Sequence, residues 1–154
     1  LLNMIIDTSH LNEKGFWDIA KHSHSPLVAT HSNAHTICPH TRNLTDKQLD
    51  AIKETQGMVG VNFAPAFLRG DGKMLKETPL QLIVDHFKYL VDKLGEDKVG
   101  FGSDFDGVMI PQELGDVTGL PKIIDLMRSQ GFSESLLQKL CYENWINLAK
   151  RVLI

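Results

Sequence analysis

Hydrophobic positions along this chain fall into two patterns. Short, near-continuous apolar runs occupy residues 4–7, 27–30, 58–62 and 98–103. Their length and composition predict strands. The lack of apolar–polar alternation predicts strands covered on both faces, as in a parallel sheet. Between these runs the apolar residues recur at helical intervals. Residues 12–22 carry Phe16, Ile19 and Ala20 at that spacing, with Pro26 beyond the end. Residues 45–55 open on Thr45 as a cap, place Leu49 and Ile52 on one face, and stop at Gly57.

The clearest helix spans residues 78–94. Thr78 is expected to cap it and Pro79 to take its first position. Leu80, Ile83, Val84, Phe87, Leu90, Val91 and Leu94 form one stripe, and Gly95 ends it. Two tail helices follow at about 120–130 and 133–152, separated by Gly131. Residues 65–77 read as a long polar, mobile loop. His86 falls on the polar side of the long helix and is expected to be exposed.

The order is therefore βα-βα-βα-β-αα. Strict alternation implies parallel strands joined by right-handed crossovers. An open doubly wound sheet and part of a (β/α)8 barrel both fit. The chain opens "LLNM", with no initiator Met and a strand almost at once. That opening suggests a chain entering a larger fold midway.

Composition narrows the choices a little. An apolar fraction of 42% supports a real core, and 23% charged residues is ordinary for a folded domain. A net charge of −3 argues, weakly, against a nucleic-acid surface. No apolar stretch approaches the roughly 20 residues of a membrane helix, and no signal peptide is visible. Two cysteines, Cys38 and Cys141, make no disulfide framework, so a reduced, cytoplasmic setting is expected.

The chemistry lies at the strand ends. In both candidate architectures function sits at the carboxyl ends of parallel strands. There the chain places Asp7 and His10, then His31 with Ser32 and Asn33, then Asn62, then Asp104 and Asp106. One histidine after a strand is ordinarily a hydrogen-bonded loop residue. Two at equivalent places in successive units, joined by a late carboxylate, point to a metal site, with zinc the expected guest. The aspartates of "SDFDG" could equally be turn formers. His22 and His24 read as solvated, and His35 and His40 as either loop or site residues. Arg42 is a surface charge or a clamp for a carboxylate. No phosphate-cradling GxGxxG occurs.

At these residues the chain resembles the membrane (renal) dipeptidase family, zinc peptidases on an amidohydrolase-type barrel. The matching pieces, in order, are "IIDTSH", "THSNA", "RN", "GVN", "VGFGSDFDG" and "EN". Together they run the length of the chain, and the 21-residue interval from His10 to His31 also fits the family. The resemblance implies that His10 and His31 ligate one of two zinc ions. It implies that Arg42 binds the terminal carboxylate of a dipeptide, with Asn62 in the substrate-binding set. Asp104 becomes the acid/base group that hands a proton to the leaving amine.

The family's barrel has eight βα units, and this chain matches the last four. The His-x-Asp pair, the metal-bridging glutamate and a further substrate-binding histidine belong to the first half, and no His-x-Asp occurs here. The expectation is residues 1–154 as the C-terminal half of a TIM-type (β/α)8 barrel: about four parallel strands, their helices and a two-helix tail. Such a piece is expected to hold metal weakly, to lack peptidase activity alone, and to need the missing N-terminal half or self-association. A non-catalytic half-barrel subunit or remnant is the main alternative. Another amidohydrolase, a deaminase or lactonase, is a third reading, against which Arg42 argues by favouring a carboxylate-bearing substrate.

Overall fold

A computed structural model describes residues 3–154. The first two residues of the "LLNM" opening lie outside the described residues. The elements run α1 (Glu13–His22), β1 (Val28–Ala29), α2 (Asp46–Glu54), β2 (Met58–Val61), α3 (Pro65–Leu68), α4 (Gln81–Leu94), β3 (Val99–Phe101), α5 (Leu120–Ser129), α6 (Glu134–Gln138) and α7 (Asn144–Leu153). Helical turns of 3-10 type precede β3 and α5, and a π-type turn at Lys139–Glu143 joins α6 to α7.

The strands pair in parallel, β1 with β2 and β2 with β3. Their spatial order follows the chain order, without the reversal that defines a doubly wound sheet. The expected first strand at 4–7 is reduced to one parallel bridge, Asp7 with Val28, extended by the Thr8 amide donating to the Val28 carbonyl. At the carboxyl ends the backbones close up. A Cβ on Gly60 would lie 2.0 Å from the Thr30 carbonyl oxygen, and one on Gly102 would lie 2.2 Å from the same atom. Only glycine admits that approach, and it draws the ends of three strand units together.

Local sequence accounts for the helices. Asn12 caps α1 by accepting from the Gly15 amide. Thr45 and Gln48 form a reciprocal capping box on α2. Phe16, Leu49, Ile52, Ile83, Val84, Phe87 and Leu90 meet Val59 and Val61 of the sheet in the main core. A smaller cluster of Val28, Met58 and Leu148 ties the tail to the sheet.

The expectations differ from the structure at four further places. Helix α4 begins at Gln81 rather than 78: the Thr78 hydroxyl donates to the Leu75 carbonyl instead of capping it. The loop 65–77 opens with α3, whose Ala66 and Leu68 are buried, so apolar residues hidden among polar ones anchor it. The tail helix expected at 133–152 runs continuously from Glu134 to Leu153 but widens to a π-type turn at Lys139–Glu143. Just after that turn the Asn144 amide donates to the Glu96 and Val99 carbonyls, and the Trp145 indole donates to the Phe101 carbonyl. Finally, His86 is wholly buried, not exposed. The second flank of α4 is covered by α3 and the loop after β1, a surface that the apolar stripe alone does not reveal. No helix among the described residues is long and apolar enough to cross a membrane.

Candidate metal and substrate site

The structure brings His10 and His31 together. Their Nε2 atoms face each other at 2.8 Å, with ring centroids 4.9 Å apart. Each imidazole follows a strand segment in successive βα units, so the pairing follows from parallel register. Two imidazoles on one tetrahedral zinc, at Zn–N of about 2.0–2.1 Å, place their nitrogens about 3.3 Å apart. The pair here needs to open by about half an ångström to take such an ion. Among the described residues no group of three His, Cys, Asp or Glu side chains converges tightly enough to hold a metal. The two imidazoles therefore fit a metal as part of a ligand set and fall short of the three protein ligands of a catalytic zinc.

His31 is built into its surroundings more firmly than His10. Its backbone N–H donates to Ser9 Oγ at 3.0 Å, and its Nδ1 lies 2.7 Å from Thr30 Oγ1. Burial pushes His31 below the ordinary histidine range, against the opposing pull of Asp104 and Asp7. The ring is thus neutral at pH 7, the form a metal requires. Asp7 lies behind it. Its Oδ1 accepts from the Ser9 amide, the Ser9 hydroxyl and the Thr30 amide, and its Oδ2 accepts from the Thr30 hydroxyl. Partial burial raises this carboxyl, but those hydrogen bonds together outweigh it and hold Asp7 below its ordinary value. Sequence reasoning placed Asp7 at the rim without a role. The signal was Asp two residues before Ser, a spacing that lets a carboxylate fold back on the chain.

Arg42 reaches the same place. Its Nη2 is 3.4 Å from His10 Nε2 and 3.5 Å from the His31 carbonyl oxygen. The guanidinium sits over the Phe67 ring, 5.4 Å from the centroid. Half-burial lowers its affinity for the proton, with Asp104 and Asp7 opposing, and it stays cationic. Its Nη1 is buried without a hydrogen-bond partner. The guanidinium, with Nη2 beside the imidazole pair, is a cationic donor suited to an anionic group.

Asp104 stands in the left-handed region at φ 65°, a conformation uncommon outside glycine. Asn62 holds it there: Nδ2 donates to Asp104 Oδ2 at 2.9 Å. Asn62 itself is fully buried, with Oδ1 accepting from the Ala64 amide and its backbone N–H donating to Asn33 Oδ1. Asp104 is near enough to act on the charges of both His31 and Arg42. Asp106 is exposed, as are His22 and His24. His40 packs on Phe67 and accepts the Arg42 amide at Nδ1, which makes it a support for the loop.

The family profile described as "Membrane dipeptidase (Peptidase family M19)" matches residues 1–153. The chain belongs to the membrane dipeptidase family. It is 56% identical over 151 residues to the "uncharacterized protein in pqqA 5'region" of Klebsiella pneumoniae, covering 98% of this chain and 56% of that protein. It is 32% identical over 152 residues to the dipeptidase tcpJ of Claviceps purpurea, covering 98% of this chain and 35% of that one. Among solved structures, it superposes on a metallopeptidase from Rhodobacter sphaeroides liganded with a phosphinate mimic of the dipeptide L-Ala-D-Ala. The TM-score is 0.95 at 55% identity, covering 97% of this chain and 43% of that one. The probable dipeptidase PvdM of Pseudomonas aeruginosa gives a TM-score of 0.88 at 25% identity, with 98% and 51% covered. The chain spans roughly a third to a half of the length of these family members. The fold is the α/β fold of that family, and the chain is homologous to its dipeptidase-type hydrolases.

Proposed function

We propose that this chain is the C-terminal half of a dizinc dipeptidase barrel and contributes half of its active site. The carrying observation is the meeting of His10 and His31 at 2.8 Å through Nε2, with Arg42 beside them. The sequential parallel order of the strands favours an arc of a (β/α)8 barrel. The remaining metal ligands come from residues outside the described set, since two imidazoles do not complete a zinc site.

In this reading His10 and His31 would hold zinc, whose chemistry when bound is Lewis-acid activation of water and of the peptide carbonyl. Arg42, whose guanidinium stands beside the imidazole pair, binds and orients the free carboxylate of a dipeptide. The phosphinate dipeptide mimic in the Rhodobacter structure supports a substrate of that class. Asp104 carries the proton to the departing amine from its carboxyl oxygen. Asn62 holds Asp104 through its side-chain amide and closes the substrate side of the rim with it.

The test is dipeptide turnover and zinc content of the complete protein and its Asp104→Asn variant. Asn tolerates the left-handed backbone, so folding is preserved. Turnover is expected to fall by about 10² to 10⁴ with zinc retained. Unchanged turnover would remove Asp104 from the chemistry. The 154-residue chain by itself is expected to take zinc weakly and to turn over no dipeptide; tight, stoichiometric zinc with turnover in calorimetry and assay would overturn the half-site.

A further inference from the structure

We infer that Asp7 is a positioning residue that selects the tautomer of His31, acting through the Thr30 and Ser9 hydroxyls. The inference rests on the dipeptidase reading only in taking His31 as a metal ligand.

Counting protons along the network gives the direction of each bond. Asp7 receives four hydrogen bonds and donates none, so it is a carboxylate with acceptors only. A threonine hydroxyl has one hydrogen. At 2.5 Å from Asp7 Oδ2, that hydrogen of Thr30 is committed to the carboxylate. Toward His31 Nδ1, 2.7 Å away, the Thr30 oxygen can then only accept. The proton of His31 must sit on Nδ1. Nε2, the atom that faces His10, is left with its lone pair.

Ser9 repeats the logic on the backbone. Its hydroxyl gives its single hydrogen to Asp7 Oδ1 at 2.7 Å, and its oxygen accepts the His31 N–H at 3.0 Å. One carboxylate thus orients two hydroxyls, and both present their lone pairs to His31, one at the ring and one at the main chain. Asp7 and Thr30 are brought together by the parallel bridge between Asp7 and Val28. The strand pairing that builds the rim also builds the relay.

The Asp7→Asn change makes a sharp prediction. Three donors already face Oδ1, so the amide nitrogen is driven to the Oδ2 side. There it donates to Thr30 Oγ1 and frees the hydroxyl hydrogen to point at His31 Nδ1. The imidazole proton moves to Nε2, onto the atom that would bind metal. Thr30→Val removes the acceptor with little change of volume, whereas Thr30→Ser keeps it.

The experiment uses the complete protein with 15N-labelled histidine. In metal-free protein near pH 8, imidazole 15N shifts are expected to show His31 protonated at Nδ1 in the wild type and in Thr30→Ser, and at Nε2 in Asp7→Asn. Zinc affinity is expected to fall about 10- to 100-fold in Asp7→Asn and Thr30→Val and to stay near wild type in Thr30→Ser. A wild-type His31 protonated at Nε2 would overturn the inference, as would wild-type zinc affinity in both weakened variants. If Asp7→Asn does not fold, the Thr30 pair decides. A folded wild type that takes up no zinc defeats the dipeptidase reading instead, and the tautomer comparison still decides the role of Asp7.

Discussion

His31 and His86 show what separates a histidine that can serve a metal from one that supports the fold. Burial pushes both below the ordinary histidine range. His86 spends both ring nitrogens on backbone: the Ala34 amide donates to Nδ1 at 3.2 Å, and Nε2 donates to the Leu68 carbonyl at 3.1 Å. His31 spends Nδ1 on Thr30 and turns Nε2 toward another imidazole. Neutrality is common to both, and the difference is one ring nitrogen that faces another imidazole at the mouth of the sheet instead of backbone. His86 lies behind the rim, stapling the loop after β1 to α3. Abundance of histidine in this chain is therefore no guide by itself; the partners of each nitrogen are.

The strongest way to break this comparison is to exchange the consequences. His31→Ala in the complete protein is expected to reduce zinc affinity by more than the roughly 100-fold that an outer partner costs, and to abolish turnover. Its folding stability should stay within about 1 kcal/mol, because the ring is partly exposed. His86→Leu should do the reverse. It leaves the Ala34 N–H and the Leu68 carbonyl buried without partners, a loss of about 1–3 kcal/mol in chemical denaturation, with zinc affinity unchanged. Arg42→Ala sharpens the rim further. Removing a charged, buried donor should cost about 1.5–3 kcal/mol of binding to the carboxylate, read as a rise in KM for dipeptides. Zinc content should stay constant.

Most of the rim was legible because it follows from periodicity. Apolar runs that do not alternate gave parallel strands, and parallel strands place whatever follows them on one edge, so His10, His31, Asn62 and Asp104 could be grouped before any coordinates. The helix starts at Asn12 and Thr45 were equally readable, because a cap is a local event. What escaped was long-range. His86 sits at a position that a single apolar stripe marks as outward, and only α3 and the loop from Asn33 make it inward. The π-type turn has no cue in its own residues; its reason is the reach of Asn144 and Trp145 to a strand more than 40 residues earlier. The left-handed backbone of Asp104 was also invisible, since Asp before a Phe-Asp-Gly turn is compatible with several conformations.

The effect most specific to His86 follows from acid titration of stability. Burial, opposed by the Leu68 hydrogen bond and by Asp85, lowers its pKa from 6.5 to about 4. The unfolded chain therefore binds a proton at this residue between those values while the folded chain does not. Stability from the neutral ring is fully present above pH 6.5. It declines as pH falls through that window, by at most about 3 kcal/mol once pH is below 4. Wild type and His86→Leu should thus differ most near pH 7, and their denaturation midpoints should converge on acidification toward pH 4. The carboxylates that also titrate near pH 4 are shared by both proteins and drop out of the difference. Midpoint curves that stay parallel from pH 7 to 4 would mean that His86 takes up its proton equally in the folded and unfolded chains, and that the buried staple does not resist protonation.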